Sequence, residues 1–182
     1  MSNMKKILYA LMIIGLSACQ NAKKNKENSL KDSIVAVNDS TAKAIDNSSA
    51  CVWLKENVEG FFKKGDMNAM ANLCTPAYYE YKMDATNVDL DVDGSLTESE
   101  FHAKYAKDYD TKLAGIGVGF LISGQDYGSI TLSIFDVLHE DAESITLKSV
   151  ISDCDYQTDY HREIVLAKEG NSFKIKDVKE FD

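Results

Sequence analysis

Proline is almost missing from this sequence: Pro76 is the one example in 182 residues. That excludes a proline-rich spacer or polyproline ligand segment. Cysteine is scarce, and none of the four stands in a Cys-x-x-Cys pair, the spacing of zinc and redox motifs. Basic residues are outnumbered, 20 Lys and Arg against 29 Asp and Glu, for a formal net charge of −9. A chain of that sign lacks the basic surface that phosphates demand, which argues against nucleic acid as a partner. An acidic surface suits solubility, or the binding of metal cations. No serine or cysteine stands in a recognisable nucleophile motif, so no catalytic residue is assigned. What remains, 45% hydrophobic residues in a chain of this length, suits one compact domain with extensions.

Residues Met1 to Cys19 read MSNMKKILYALMIIGLSAC. Lys5 and Lys6 form a basic start, and an apolar run follows from Ile7 to Leu16. The run is shorter than the roughly 20 residues that span a bilayer, and it has the pattern of a secretory signal. Its ending, Leu16-Ser17-Ala18-Cys19, resembles the lipobox of bacterial lipoproteins at all four positions. The resemblance implies cleavage before Cys19 and lipidation of that cysteine, so that acyl chains anchor the protein to a membrane. Cleavage removes two lysines and no acids, which makes the mature chain more acidic still. Lys23 and Lys24 follow the lipid site, with no acidic surface-export pattern. The implied address is the bacterial cell envelope, on the outer membrane facing the periplasm.

The expected organisation is a signal peptide at 1–18, a lipidated cysteine and flexible tether at 19–49, and one α+β domain at 50–182. The tether is rich in Asn, Lys, Ser and Asp and poor in aromatics, too polar to order itself. Three cysteines remain, Cys51, Cys74 and Cys154. An exported chain meets an oxidising compartment, so one bridge among them and three buried thiols both stay open.

In the domain, Leu54, Val58, Phe61 and Phe62 recur at helical spacing, and Gly65-Asp66 stops that helix. Met67, Met70 and Leu73 belong to a second short helix. Thr75-Pro76 opens a third, through Tyr78, Tyr79 and Tyr81. A further helix is expected from Thr97 to about Tyr109. The period then changes to two: Ile130, Leu132 and Ile134; Ile145 and Leu147; Ile164 and Leu166; Phe173 and Ile175. These predict four antiparallel strands with one buried face, with Glu169-Gly170-Asn171 as a hairpin turn. Gly119 to Ile122 is a candidate fifth strand. The predicted class is α+β, with N-terminal helices packed on a curved antiparallel sheet of four to five strands.

The segment VEGFFKKGDMNAMANLCTPAYYEY, followed by strands ending in SFKIKDVKEF, resembles the nuclear transport factor two-like (cystatin-like) cone fold. The resemblance spans Ala50 to Asp182. It implies a small ligand held at the cone mouth, and some members of that family are enzymes. No catalytic set of the family maps onto this chain.

Asp89 to Glu100 reads DLDVDGSLTESE. The segment resembles an EF-hand calcium loop, whose ligands stand at positions 1, 3, 5, 7, 9 and 12. Here they are Asp89, Asp91, Asp93, Ser95 through its carbonyl, Thr97 and Glu100, with Gly94 at the sharp turn and Leu96 at the apolar position. Val92 departs from the polar residue usual at position 4, the entering segment Asp84 to Val88 is a poor helix, and no second loop supports this one. A calcium ion here would be structural, ordering the following helix, with affinity on the order of 10⁻⁴–10⁻³ M. The same residues also read as a half-buried strand, because Val88, Leu90 and Val92 alternate with Asp89, Asp91 and Asp93. Asp93-Gly94 would then be a turn, and Thr97 and Glu100 a capping box. Three aligned aspartates are costly in a strand, which favours the cation.

Other candidates are weaker. Gly115 to Gly119 precedes an apolar run instead of opening a helix, so it is close packing or a connection and not a phosphate loop. His161 and Glu163 share a strand face with Asp159 in line, either a base or metal row or a solvated face. His102 and His139 have no evident partners. Asp153, Asp155, Tyr156, Asp159 and Tyr160 gather at a hairpin turn that favours such residues. The leading functional expectation is a membrane-anchored, non-enzymatic binding or accessory domain with a calcium-stabilised loop and an apolar or filled cone. The alternative, an enzyme using the cone interior with His161 or an aspartate as base, would show a deep polar pocket with a carboxylate or histidine pointing inward. A protein-interaction factor would show an exposed apolar patch rimmed with acids.

Overall fold

The computed structural model describes residues 48–181. The expected signal peptide, Cys19 and the expected tether up to residue 47 lie outside the described residues. Among the described residues no helix is long and apolar enough to cross a membrane.

Helix α1 spans Ser49–Lys64, one residue earlier than the apolar spacing suggests. Ser48 caps it, its side chain accepting from the Cys51 N–H. Leu54, Val58, Phe61 and Phe62 are buried on one face, as their spacing dictates. Gly65 ends the helix in the left-handed region (φ 64°), and its N–H donates to the Phe61 carbonyl. A 3₁₀ turn at Met67–Ala69 leads into a single α turn, α2, at Met70–Leu73. Helix α3 covers Pro76–Thr86 with Thr75 as its cap, and helix α4 covers Glu98–Tyr105.

Four strands follow: β1 Ile130–Glu140, β2 Ser144–Asp153, β3 Thr158–Glu169 and β4 Ser172–Glu180. They form an antiparallel meander in the order β1-β2-β3-β4. Gly170 (φ 60°) and Asn171 make the β3–β4 turn. The curved, unclosed sheet buries Leu132, Ile145, Leu147, Ile151, Ile164, Leu166, Ile175 and Val178 in one core with the helices. The α+β class follows directly from that alternation. At the β4 side, Cys74 bridges Ile175 and the Thr75 N–H donates to the Ile175 carbonyl at 2.8 Å. That contact covers backbone which an open edge would leave unpaired.

Two expectations and one alternative reading need correction. Gly119 to Ile122 is not a strand: Leu121 takes φ 72°, which breaks an extended chain, and its carbonyl accepts from Arg162 Nε at 2.9 Å instead of from a neighbouring strand. The helix after the acidic loop ends at Tyr105, and Tyr109 stacks on Tyr81 with ring centroids 4.1 Å apart. Residues 88–93 form no strand but a series of turns. Cys51, Cys74 and Cys154 all stand as thiols.

The core also holds charge. Lys82 is fully buried, and its ammonium donates to Glu180 Oε1 at 2.6 Å and to the carbonyls of Ala114 and Gly115 at 2.8 and 2.9 Å. Arg162 approaches the other carboxylate oxygen at 3.5 Å. The glycine-rich segment is therefore close packing: a Cβ on Gly115 would lie 2.2 Å from Glu180 Oε2.

Candidate functional site

The acidic segment joins α3 to α4, so its twelve positions sit in a helix–loop–helix frame. Gly94 turns the chain at φ 86°. Thr97 caps α4 and accepts from the Glu100 N–H. Glu100 reaches back, its Oε2 accepting from the Thr97 N–H at 2.9 Å and the Thr97 hydroxyl at 2.7 Å. The backbone N–H of Thr97, and then its hydroxyl, hold that carboxyl below its ordinary pKa. Asp91 and Asp93 project into solvent, and Asp89 (φ 56°) is fixed by its own N–H donating to the Leu96 carbonyl at 2.9 Å. The Ser95 hydroxyl is enclosed without a protein partner. Among the described residues no three acidic, histidine or cysteine side chains gather as a metal would require. The frame suits calcium, but the donors are not drawn together. Packing of the two helices does not depend on an ion, since Lys104 bridges Glu80 and Asp84 at 2.9 Å each and the Tyr105 hydroxyl donates to Asp84 at 2.7 Å.

A second site lies on the sheet face turned away from the core. Register places Asp136 beside Lys148, Lys148 beside Glu163, and Glu163 beside Lys179. Directly paired residues share a face, so these four make one row of alternating sign across all four strands. Within it Lys179 and Glu163 approach to 3.6 Å. The adjacent row is Ser133, Val150 and His161, and the Phe181 N–H donates to the His161 carbonyl at 3.1 Å. Val150 is 8% exposed yet stands apart from the helix-side core. It forms the floor of a groove of about 620 Å³ that Phe135, Asp136, Lys148, His161, Glu163 and Phe181 also line. Phe135 and Phe181, from opposite edges of the sheet, are 62% and 43% exposed. Phe135 reaches this face because β1 slips register between Ile134 and Asp136.

His161 and Glu163 do share this face, and Asp159 follows in line, taking the Ser152 hydroxyl at 2.6 Å. Register brings His161 next to Val150, so no Asp-His-Glu contact forms. Sequence reasoning gave Phe135, Val150 and Phe181 no functional role. The signal was the pair Ile134-Phe135, two large apolar residues in succession where strict alternation allows one.

The other histidines have partners. His102 Nδ1 lies 2.7 Å from the Thr111 hydroxyl and Nε2 lies 3.4 Å from Glu98. They line a recess of about 390 Å³ with Glu180. His139 meets Asp141 at 3.1 Å. Asp153 is buried and accepts from the Gly128, Asp155 and Tyr156 N–H groups, while Asp155 takes the Ser129 N–H. These acids fold the turn and its neighbouring loop.

No family model matches the chain, and neither a curated protein nor a solved structure matches it.

Proposed function

We propose that this protein is a lipid-anchored, non-enzymatic binding module of the bacterial envelope that engages its ligand through the outer face of its sheet. The observation that carries this reading is the groove between Phe135 and Phe181, two large apolar side chains left in water beside the alternating charges of Asp136, Lys148, Glu163 and Lys179. Exposing such residues costs solubility unless something covers them. The helix side of the sheet, where a cone-mouth ligand would enter, is occupied by the packed core except for the recess beside His102, Thr111 and Glu180. That favours a binding surface over an enclosed reaction chamber. The anchor at Cys19 rests on the lipobox, and its tether would present the groove at a distance from the membrane.

An apolar fluorescent dye, anilinonaphthalene sulfonate, tests the groove in dilute purified protein. Fluorescence should rise with the folded parent and fall at least fivefold with Phe135→Ser/Phe181→Ser, both folded by circular dichroism. Equal dye binding by the two proteins would remove the groove from the proposal. Replacement of Cys19 by serine should abolish labelling by a clickable palmitate analogue. Persistent labelling would remove the anchor.

Calcium at Asp89, Asp91, Asp93, Ser95, Thr97 and Glu100 remains a second proposal, favoured by the helix–loop–helix frame and the left-handed Gly94. Binding would gather three aspartates that now stand apart, and would draw on Glu100 Oε1 while Oε2 keeps the cap.

A further inference from the structure

We propose that the ligand of this face is a second copy of the chain, bound about a two-fold axis that runs parallel to the strands between β2 and β3. The inference rests on the binding-face reading above and names its partner.

The argument begins with the order of charges. Across β1, β2, β3 and β4 the row runs Asp136, Lys148, Glu163, Lys179: minus, plus, minus, plus. Read backwards it runs plus, minus, plus, minus. A row of this kind is its own complement when reversed. Two copies packed face to face about an axis parallel to the strands set β1 against β4 and β2 against β3. Lys148 then faces Glu163 of the second copy, and Asp136 faces its Lys179. Each contact occurs twice, as an isologous interface requires. An axis along the row instead would set Lys148 against Lys148 and Glu163 against Glu163, which like-charge repulsion forbids. The charge order thus selects one axis.

The apolar residues obey the same axis. Phe135 stands at the β1 edge and Phe181 at the β4 edge, both beside the row. The operation that pairs Lys148 with Glu163 brings Phe135 over Phe181 of the second copy, again twice. Val150, next to the row on β2, comes over His161. Sheets stack about 10 Å apart, a gap that Lys, Glu and Phe side chains can bridge from both sides. The phenylalanines supply the apolar area, and the charges supply register and selectivity.

Size sets the strength. Strands of 9 to 12 residues, four abreast, give a face on the order of 600 Å² at ~4.8 Å between strands and ~3.3 Å per residue. Stable interfaces cover about 800 Å² on each partner, so this dimer falls at the weak, transient end. Confinement of two lipid anchors to one membrane would raise the effective concentration and favour pairing there.

Sedimentation equilibrium of the mature chain, residues 19–182 carrying Cys19→Ser, over about 5 to 500 µM, tests the proposal in the weak range expected of so small an interface. The parent is expected to self-associate to a dimer. Lys148→Glu and Glu163→Lys each place like charges in the two central contacts and should weaken association at least tenfold. In an equimolar mixture of the two variants, one copy brings two acids to the centre of the row and the other brings two lysines. Both central contacts then pair opposite charges again, and the mixture should dimerise as tightly as the parent. Folding defects cannot mimic that recovery. A mixture no tighter than the single variants overturns the proposed axis. A parent that stays monomeric throughout overturns the second copy as ligand. If dye binding still depends on Phe135 and Phe181 in that monomer, the binding face itself survives and its partner is a different molecule.

Discussion

Glu180 shows how much one residue near the chain end can carry. Its carboxylate lies between Lys82 and Arg162, and the side chain of each is all but closed to solvent. Nothing in SFKIKDVKEF marks this glutamate as different from its exposed neighbours, because its partners stand far away in sequence. Breaking a buried ion pair costs more than forming one gains, since a charge is left without its counter-ion. Glu180→Gln should therefore lower stability by about 3 kcal/mol, read as a drop in urea midpoint at unchanged slope. A change below about 0.5 kcal/mol would mean that the Ala114 and Gly115 carbonyls alone satisfy Lys82. Asp177, on the same strand, is perturbed by its surroundings. Burial pushes its carboxyl up to about 6, opposed by the Val178 N–H and Lys179 and reinforced by Asp110. The folded state thus holds a proton between about pH 4 and 6 that the unfolded chain has released, and the stabilisation is lost as pH rises through 6. Asp177→Asn should leave stability unchanged below pH 4 and raise it by about 1–2 kcal/mol at pH 7.5, after allowance for partial exposure. Equal parent and variant stabilities at both pH values would refute the shift.

At the scale of elements, legibility followed periodicity. Strands β1 to β4 were readable because one face is buried, and alternation at every second residue is the cost of placing a polar group there. Caps at Thr75 and Thr97 were readable because their chemistry is local. Gly119 to Ile122 was misread for the opposite reason: it is apolar and buried like a strand, but what holds it is Arg162, far along the chain on β3. The acidic loop was half legible. Its alternation of Val88, Leu90 and Val92 with aspartates mimics a strand, whereas the chain between two helices has only turns. Calcium binding here predicts a modest response, because Lys104, Glu80, Asp84 and Tyr105 already join α3 to α4. The unfolding midpoint in millimolar calcium should exceed that in EDTA by about 2–4 °C, the shift that roughly 1 kcal/mol produces in a domain of this size. Asp93→Ala and Glu100→Ala should each abolish the difference. Identical midpoints for the parent in calcium and EDTA would remove calcium from the account.

At the scale of the whole molecule, the two sheet faces divide the work. One face builds the core with α1, and the other displays a charged row and two phenylalanines. Only half of that display could be foreseen. His161 and Glu163 were placed on a common strand face by their spacing alone. The groove needed register, which sequence does not supply: the slip between Ile134 and Asp136 delivers Phe135, and antiparallel pairing assembles the row from four separate strands. The outer face displays Phe135 and Phe181 beside acids and lysines in equal number, which differs from the purely acidic rim expected of an interaction protein. The most direct measurement is a backbone amide chemical-shift map of dilute, unlipidated protein titrated with an apolar aromatic probe. The account predicts perturbations concentrated at residues 133–136, 148–150, 161–163 and 179–181. Shifts centred instead on the helix–sheet interior, around Leu54, Val58 and Leu147, would contradict it and return the binding site to the cone.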